Sequence, residues 1–330
     1  MSTAKIPVTI LTGFLGAGKT TLLNRILSEY HGQHLAVVVN EFGEIGIDQE
    51  LIVRTDEATV EMNNGCLCCT VRGDLNRHLM NLLQQRERFA HVLVETTGLA
   101  NPGPVALTFL WDQKVRQAFT LDGIVTVVDA RHIVRHLEEC EEARAQIVFA
   151  DVLIFNKLDL IEEAAVAPLE QRLRRINALA QVYRSTHTAV PIAPLLRLGG
   201  FDIERARLVN PTLLPAETLQ SWEALAEHSH NDDIRSVSLE MEGALNPLLV
   251  RAWLSILLLE HGVDLFRAKG ILHLADRDER FIFQSVHMLF DCISGRPWGT
   301  DRRVNRLVFI GRHLDRQMLE SGLSACLQQP

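Results

Sequence analysis

Short apolar runs alternate with segments of helical apolar spacing along the first 195 residues of the chain. Runs typical of buried strands lie at residues 6–12, 35–39, 91–94, 123–128 and 151–155. Between them, apolar residues recur at helical intervals, for example at Leu22, Leu23, Ile26 and Leu27. This alternation predicts an α/β fold in which helices cover both faces of a mostly parallel sheet.

The pattern changes in the second part of the chain. Residues 201–233 lose the regular spacing and are interrupted by prolines, which is typical of a linker. After them the pattern predicts strand, helix, three strands and helix, at residues 235–241, 247–261, 265–274, 281–288, 306–310 and 315–327. We therefore predict a larger α/β domain at residues 1–200 and a smaller α+β domain at residues 234–330.

The first apolar strand leads into a phosphate-binding loop. Residues 13–20 fit the pattern G-x-x-x-x-G-K-[ST], and a helix is predicted directly after them. In such loops backbone N–H groups surround the phosphate oxygens, the lysine reaches the β- and γ-phosphates, and the last hydroxyl binds Mg²⁺. We assign these two side-chain roles to Lys19 and Thr20. The predicted phosphate contacts are Gly13, Gly16, Ala17, Gly18, Lys19, Thr20 and Thr21.

A second motif indicates which base the nucleotide carries. The strand at 151–155 leads into Asn156, Lys157 and Asp159, in the pattern N-K-x-D. The carboxylate of Asp159 can accept hydrogen bonds from both N1–H and the 2-amino group of guanine, whereas adenine offers neither donor. Lys157 would pack along the base and ribose, and Asn156 would brace the loop. The motif therefore predicts GTP rather than ATP.

Further acidic residues are candidates for the Mg²⁺ and γ-phosphate side of the site. Glu95 follows the strand at 91–94 and can hold Mg²⁺ or its waters, while the amide of Gly98 can approach the γ-phosphate. The acidic, glycine-containing segment 41–48 is predicted to be a mobile switch, with Glu41 as a contact to Mg²⁺ or to the attacking water. Asp129 ends another strand, and we interpret it as a strand-end cap. The predicted catalytic residues are Lys19, Thr20, Glu41 and Glu95.

Three thiols are clustered at Cys66, Cys68 and Cys69. Thiolates favour Zn²⁺, Cu⁺ and related ions, and a structural zinc site normally has four protein ligands. Three thiols leave an exchangeable position, which suits transfer of an ion better than a structural role. Zn²⁺, Co²⁺, Ni²⁺ and Cu⁺ all stay open as the bound ion, and redox sensing is a second interpretation. The cluster lies between segment 41–48 and Glu95, so movement on hydrolysis can reach it through a short piece of chain.

Taken in order, these motifs resemble those of CobW-like GTPases. The matching segments are residues 13–20, 41–44, 65–69, 95–98 and 156–159, followed in the second domain by 267–270, 283–286 and 296–298. The resemblance implies a P-loop GTPase domain with a CobW-type C-terminal domain. It also implies transfer of a metal ion, zinc above all, from Cys66, Cys68 and Cys69 to a client metalloenzyme. Cobalt handling in cobalamin or nitrile hydratase maturation is an alternative, and nucleotide-dependent homodimers are a further expectation for this class of GTPase.

Composition and charge exclude several other classes. The 330 residues are 47% apolar and 22% charged, which is ordinary for globular protein. A net charge of −8 opposes general binding to nucleic acid or to an anionic membrane surface. No apolar run is long enough to span a bilayer. Cleavage after the apolar segment 6–15 would destroy the phosphate loop, so we predict a cytoplasmic protein.

Two functions outside this family fit parts of the sequence. A P-loop small-molecule kinase with structural thiols would phosphorylate a metabolite without preferring GTP, and the motif at 156–159 argues against it. A redox or metal sensor that uses the nucleotide only for its shape would bind GTP with negligible turnover. Measurements of turnover and of metal binding distinguish all three functions.

Overall fold

The computed structural model of the chain describes residues 4–29, 34–39, 71–199, 234–262, 264–286 and 289–328. The chain divides into two compact units. The first contains Met1–Arg174 and Ala180–Gly200, and the second contains Arg175–Leu179 and Phe201–Pro330. The linker predicted at 201–233 lies outside the described residues, so the predicted domain boundary stays a prediction.

Helices and strands alternate in the first unit, as the apolar pattern predicts. In order they are β1 (Ile6–Gly13), α1 (Lys19–Glu29), β2 (Leu35–Val39), α2 (Val71–Leu83), β3 (His91–Glu95), α3 (Pro102–Trp111), α4 (Gln113–Ala118), β4 (Phe119–Asp129), α5 (Ile133–Glu139), α6 (Glu141–Phe149), β5 (Val152–Asn156), α7 (Glu163–Ile176) and β6 (Gln181–Arg184). The six strands form one parallel sheet in the order β2-β3-β1-β4-β5-β6. The predicted α/β class is confirmed.

The strand β1, which pairs with β3 and β4, is covered on both faces. Successive side chains of a strand point to opposite faces of the sheet, and Ile10, Leu11 and Thr12 are all buried. On one side, α1 contributes its buried leucines and Ile26 to a core that includes Leu11. Because β1 runs directly into the phosphate loop, this close packing fixes where that loop begins.

The second unit is a small antiparallel sheet with helices. Its elements are β7 (Arg235–Glu242), α8 (Pro247–His261), β8 (Leu265–Leu272), β9 (Glu279–Val286), β10 (Leu289–Pro297), β11 (Val304–Gly311) and α9 (Arg316–Ser324). The strands pair in the order β10-β9-β8-β11-β7. The predicted α+β character is confirmed, although β10 was not predicted.

The core of the second unit forms where α8 and α9 meet the sheet. Helix α8 begins at a strong signal, because Asn246 accepts hydrogen bonds from the N–H groups of Leu248 and Leu249 and Pro247 occupies the first helical position. The core includes Val250, Leu254, Leu257 and Leu258 of α8, Leu319 and Leu323 of α9, and Leu239, Phe283 and Phe309 of the sheet. None of the helices in the described ranges is long and apolar enough to cross a membrane.

Candidate nucleotide-binding site

The loop between β1 and α1 has the backbone conformation of a phosphate cradle. Gly13, Gly16 and Gly18 have positive φ angles of 144°, 73° and 114°, which side chains with a Cβ rarely adopt. A Cβ on Gly13 would also lie 2.3 Å from the carbonyl oxygen of Val127. The backbone angle therefore favours glycine at all three positions, and the lack of space also requires it at Gly13 and Gly18.

Lys19 and Thr20 lie at the first turn of α1, where the motif predicts them. The ammonium of Lys19 donates hydrogen bonds to the carbonyl oxygens of Gly13 at 2.9 Å and Phe14 at 3.3 Å. The hydroxyl of Thr20 donates to Oε1 of Glu95 at 3.2 Å, and Glu95 is buried. A hydroxyl beside a carboxylate supplies the oxygen ligands that Mg²⁺ prefers. These residues therefore fit the predicted Mg²⁺ ion.

The loop after β3 lies against the phosphate loop. Thr96 donates its N–H to the carbonyl of Leu11 at 2.9 Å and its hydroxyl to Oγ1 of Thr12 at 2.8 Å. Gly98 then approaches Leu15 so closely that an added Cβ would lie 2.7 Å from the backbone nitrogen of Leu15. The structure thus brings Gly98 to the phosphate loop, as predicted for a residue near the γ-phosphate.

At the carboxyl end of β5, Asn156 joins two loops. This buried side chain donates from Nδ2 to the carbonyl of Ala17 at 3.0 Å. Its Oδ1 accepts the N–H of Thr188 at 2.9 Å. Asp159 lies in the short turn Leu158–Leu160 with its side chain exposed, where a base can reach it. Through these two hydrogen bonds Asn156 braces the loops, which is the role predicted for it.

Asp129, at the end of β4, has two roles. Its Oδ1 accepts the N–H groups of Arg131 at 2.9 Å and His132 at 3.3 Å, which confirms the predicted cap. Its Oδ2 lies 2.8 Å from the ammonium of Lys157 and 3.1 Å from Nδ1 of His132. Burial opposes the charged form of Asp129, but the bonds from Lys157 and His132 outweigh it and hold the pKa of the carboxyl below its usual value. Asp129 therefore holds Lys157 in place, and the sequence did not predict this contact between the two residues.

The short helix α5 contacts both ends of the site. His132, just before it, reaches Asp129 at the base end. One turn later, the ring of His136 lies 4.2 Å from the ring of Phe14, measured between centroids, in the phosphate loop. Burial lowers the pKa of His136 and so favours the neutral form of its ring. Packing of this ring against Phe14 supports the first half of the phosphate loop.

Two residues of the site were missed in the sequence. Gln146, buried in α6, donates from Nε2 to the carbonyls of Gly98 at 3.1 Å and Ala100 at 3.0 Å. Thr188, fully buried, follows the edge strand β6 and has a positive φ of 55°. Its position after a parallel strand is a signal, because ligands bind at the carboxyl ends of such strands. Gln146 has no comparable signal, since nothing in a helical pattern marks a buried glutamine as a loop contact.

Several predicted site residues lie outside the described residues. They are Glu41, Cys66, Cys68 and Cys69. Within the ranges that the structure describes, no group of three or more His, Cys, Asp or Glu side chains is arranged to hold a metal ion. Thr21 is described and lies exposed in the first turn of α1. The roles predicted for the thiols and for Glu41 stay predictions.

Known domain families match both parts of this chain. Residues 7–184 match the CobW/HypB/UreG nucleotide-binding domain. Residues 234–327 match the cobalamin synthesis protein CobW C-terminal domain. The chain belongs to the CobW/HypB/UreG family. The resemblance seen in the motifs is therefore confirmed for both parts of the chain.

Relatives within this family match almost the entire chain. The zinc chaperone YjiA of Escherichia coli is 35% identical over 97% of this chain and 98% of its own length. The zinc-regulated GTPase metalloprotein activator 1 of Schizosaccharomyces pombe is 34% identical over 94% of this chain and 83% of its length. The crystal structure of the Zn(II)-bound YjiA GTPase from E. coli covers 99% of this chain, with a TM-score of 0.73 and 32% identity. The fold of this chain thus agrees with that of the YjiA structure.

Proposed function

We propose that this protein is a GTP-hydrolysing metallochaperone that binds zinc at Cys66, Cys68 and Cys69 and transfers it to a client metalloenzyme. The observation that carries the proposal is the similarity to the zinc chaperone YjiA over nearly the whole of both chains. The site geometry supports the nucleotide half of the function, because phosphate loop, Mg²⁺ ligands and base-binding motif converge on one edge of the parallel sheet. The zinc half rests on the thiol motif and on the names of the relatives.

The described residues divide the work of GTP binding between two ends of the site. At the phosphate end, Lys19 would exchange its loop carbonyls for the β- and γ-phosphates of the bound nucleotide. Thr20 and Glu95 would hold Mg²⁺, which would stabilise the negative charge that develops on the phosphates during hydrolysis. At the base end, Asp129 holds Lys157 through a hydrogen bond from its ammonium. The exposed Asp159 would accept hydrogen bonds from the N–H donors of guanine.

Coupling to zinc follows from the order of the motifs. Glu41 and the thiols precede Glu95 in the chain, so ordering of the γ-phosphate side would extend to the metal-binding segment. Hydrolysis would relax that order, weaken metal–thiolate contacts and release the zinc to the client. We expect slow intrinsic turnover, because neither an arginine finger nor a catalytic glutamine is evident in the sequence. A cytoplasmic location and a nucleotide-dependent homodimer belong to the same proposal.

A competition titration tests the proposed function. Zinc affinity of the reduced protein is measured against a chelator in the presence of GDP and of a non-hydrolysable GTP analogue. The same titration is run on a variant with Cys66, Cys68 and Cys69 replaced by serine. We expect a nucleotide-dependent shift in zinc affinity that disappears in the variant. Tight zinc binding that does not depend on the nucleotide would indicate a structural zinc. Absence of zinc binding would overturn the proposal that the protein is a metallochaperone.

A further inference from the structure

A buried glutamine on α6 links that helix to the loop beside the phosphates. Gln146 is 1% exposed, and its Nε2 donates to the carbonyls of both Gly98 and Ala100. We propose that Gln146 is a positioning residue. By holding the loop that carries Gly98, it increases the affinity of the site for a nucleotide with a γ-phosphate. This role rests on the proposed function, because it concerns how the same site distinguishes GTP from GDP.

The two hydrogen bonds fix the loop on either side of one residue. An amide nitrogen carries two hydrogens, and here each is donated to a different carbonyl, before and after Leu99. The loop is thereby held to the interior at two points. Loss of the amide would leave the buried carbonyl of Gly98 without this partner and would release the partly buried carbonyl of Ala100.

Fixing these carbonyls also fixes the turn that carries the N–H of Gly98. Gly98 is pressed against Leu15, with only 2.7 Å between a hypothetical Cβ and the Leu15 nitrogen. The N–H of Gly98 shares its peptide with the carbonyl of Thr97, and that carbonyl accepts the N–H of Ala100 at 3.2 Å. Because Gln146 holds the carbonyls of Gly98 and Ala100, it holds the turn at residues 97–100 that orients this peptide. The N–H of Gly98 is the group expected to meet the γ-phosphate. Gln146 thus acts on that contact through the loop and without touching the nucleotide.

The position of α6 does not depend on the Gln146 side chain. The hydroxyl of Thr126 in β4 donates to the backbone carbonyl of Gln146 at 2.7 Å. This bond anchors the helix to the sheet whatever side chain stands at position 146. Replacing the side chain therefore removes the link to the loop, whereas replacing Thr126 weakens the helix anchor and keeps the link. The two changes form a matched pair.

The test compares affinities for GTP and GDP in Gln146→Met, Gln146→Asn and the control Thr126→Val. Methionine keeps the length without the donors, and asparagine keeps the amide but is too short to reach both carbonyls. Binding of Mg²⁺ with a non-hydrolysable GTP analogue, and of Mg²⁺ with GDP, is measured by calorimetry. We expect the Gln146 variants to bind the analogue about tenfold more weakly, the change that one good hydrogen bond produces. GDP affinity should stay within about twofold of wild type, because GDP has no γ-phosphate to lose contact with.

The outcomes separate the positioning role from a structural one. In Thr126→Val, a lower melting temperature with an unchanged GTP-to-GDP affinity ratio would support the role of Gln146. Equal weakening of both nucleotides in the Gln146 variants, or no change in either, would overturn it. Unaltered GDP binding also shows that a variant is folded. If the wild-type protein bound neither nucleotide, the proposed function itself would fail, which is a different result from failure of the Gln146 role alone.

Discussion

At the scale of single residues, Asp129 leads to a clear prediction about the base end of the site. Its Oδ2 holds the ammonium of Lys157 at 2.8 Å, and the pKa of the carboxyl is held below its usual value. Asp129→Asn keeps an oxygen for the backbone cap but removes the charge that holds Lys157. We expect GTP and GDP to bind about tenfold more weakly, because a hydrogen bond between charged groups contributes about 1.5–3 kcal/mol. Equilibrium binding of both nucleotides measures the effect.

A matched control comes from the neighbouring histidine. His132→Gln removes the ring that lies 3.1 Å from Asp129 and leaves the bond to Lys157 in place. The side chain of His132 is 44% exposed, so little affinity should be lost with it. If His132→Gln weakened nucleotide binding as much as Asp129→Asn, Lys157 would not be the residue through which Asp129 acts.

At the scale of elements, a buried polar network joins the three central strands. Val8 of β1 pairs with Leu121 of β4 but Thr9 pairs with Gly123, so Asp122 is an extra residue in β4. The hydroxyl of Thr9 donates to Oδ2 of Asp122 at 3.2 Å. The same hydroxyl lies 2.8 Å from Nε2 of His91 in β3, which therefore donates to it. Asp122 also accepts the N–H groups of residues 198 and 199, so the network ties the end of the unit to its sheet.

This network makes stability depend on pH. Burial lowers the pKa of His91 to about 4, although the charge of Asp122 acts in the opposite direction. An unfolded histidine titrates near 6.5, so below that pH the unfolded chain binds a proton that the folded chain excludes. The contribution of His91 is therefore complete above about pH 6.5 and is lost as the pH falls towards about 4, by up to about 3 kcal/mol.

Urea unfolding of wild type and His91→Gln, measured between about pH 4.5 and about pH 7.5, checks this prediction across the titration of His91. Glutamine keeps a donor for Thr9 but does not titrate. We expect the difference in unfolding free energy between the two proteins to shrink as the pH falls. Parallel curves would show that His91 does not titrate with folding.

The strands and the ends of strands were the parts of the fold that the sequence could predict. β1, β3 and β5 are short apolar runs. Lys19 follows β1 after the phosphate loop, and Glu95 and Asn156 end β3 and β5, so parallel strands bring these residues to one edge. The order of strands across the sheet could not be predicted, because apolar runs of similar composition fit next to one another in any order. Gln146 was missed for a related reason: its partners are backbone carbonyls, which no side-chain pattern reveals.

The second unit shows where the periodic pattern fails. Helix α8 was predicted at residues 247–261 and is observed at Pro247–His261, because the Asn-Pro start and its many leucines are strong local signals. β10, at Leu289–Pro297, was missed because its sequence mixes polar residues, glycine and proline. Among the strands that the structure describes, it pairs only with β9 and lies at the edge of the sheet. Edge strands tolerate proline and need less apolar surface, so the propensity signal is weak there.

At the scale of the whole molecule, the described part of the chain includes two cores built from different residues. One surrounds β1 and α1, and the other lies between α8, α9 and the antiparallel sheet. All described residues assigned to the nucleotide belong to the first unit. A ligand that binds only the folded state stabilises it by about 2.7 kcal/mol at a hundred times its dissociation constant. We therefore expect nucleotide binding to stabilise the first unit, and substitutions in the core of the second unit to destabilise that unit alone.

Hydrogen–deuterium exchange with Leu254→Ala tests this expectation. Leu254 is 1% exposed in the core of the second unit, so its truncation should cost about 2–5 kcal/mol and speed amide exchange in β7, β8 and β11. Leu259→Ala on the same helix is the control, because Leu259 is 65% exposed and its loss should change stability by less than about 0.5 kcal/mol. Adding Mg²⁺ and a GTP analogue should slow exchange in β1, β3 and β5 in both variants. If the analogue also restored slow exchange in β7, β8 and β11 of Leu254→Ala, nucleotide binding would be energetically coupled to the second core, and the two cores would not respond separately.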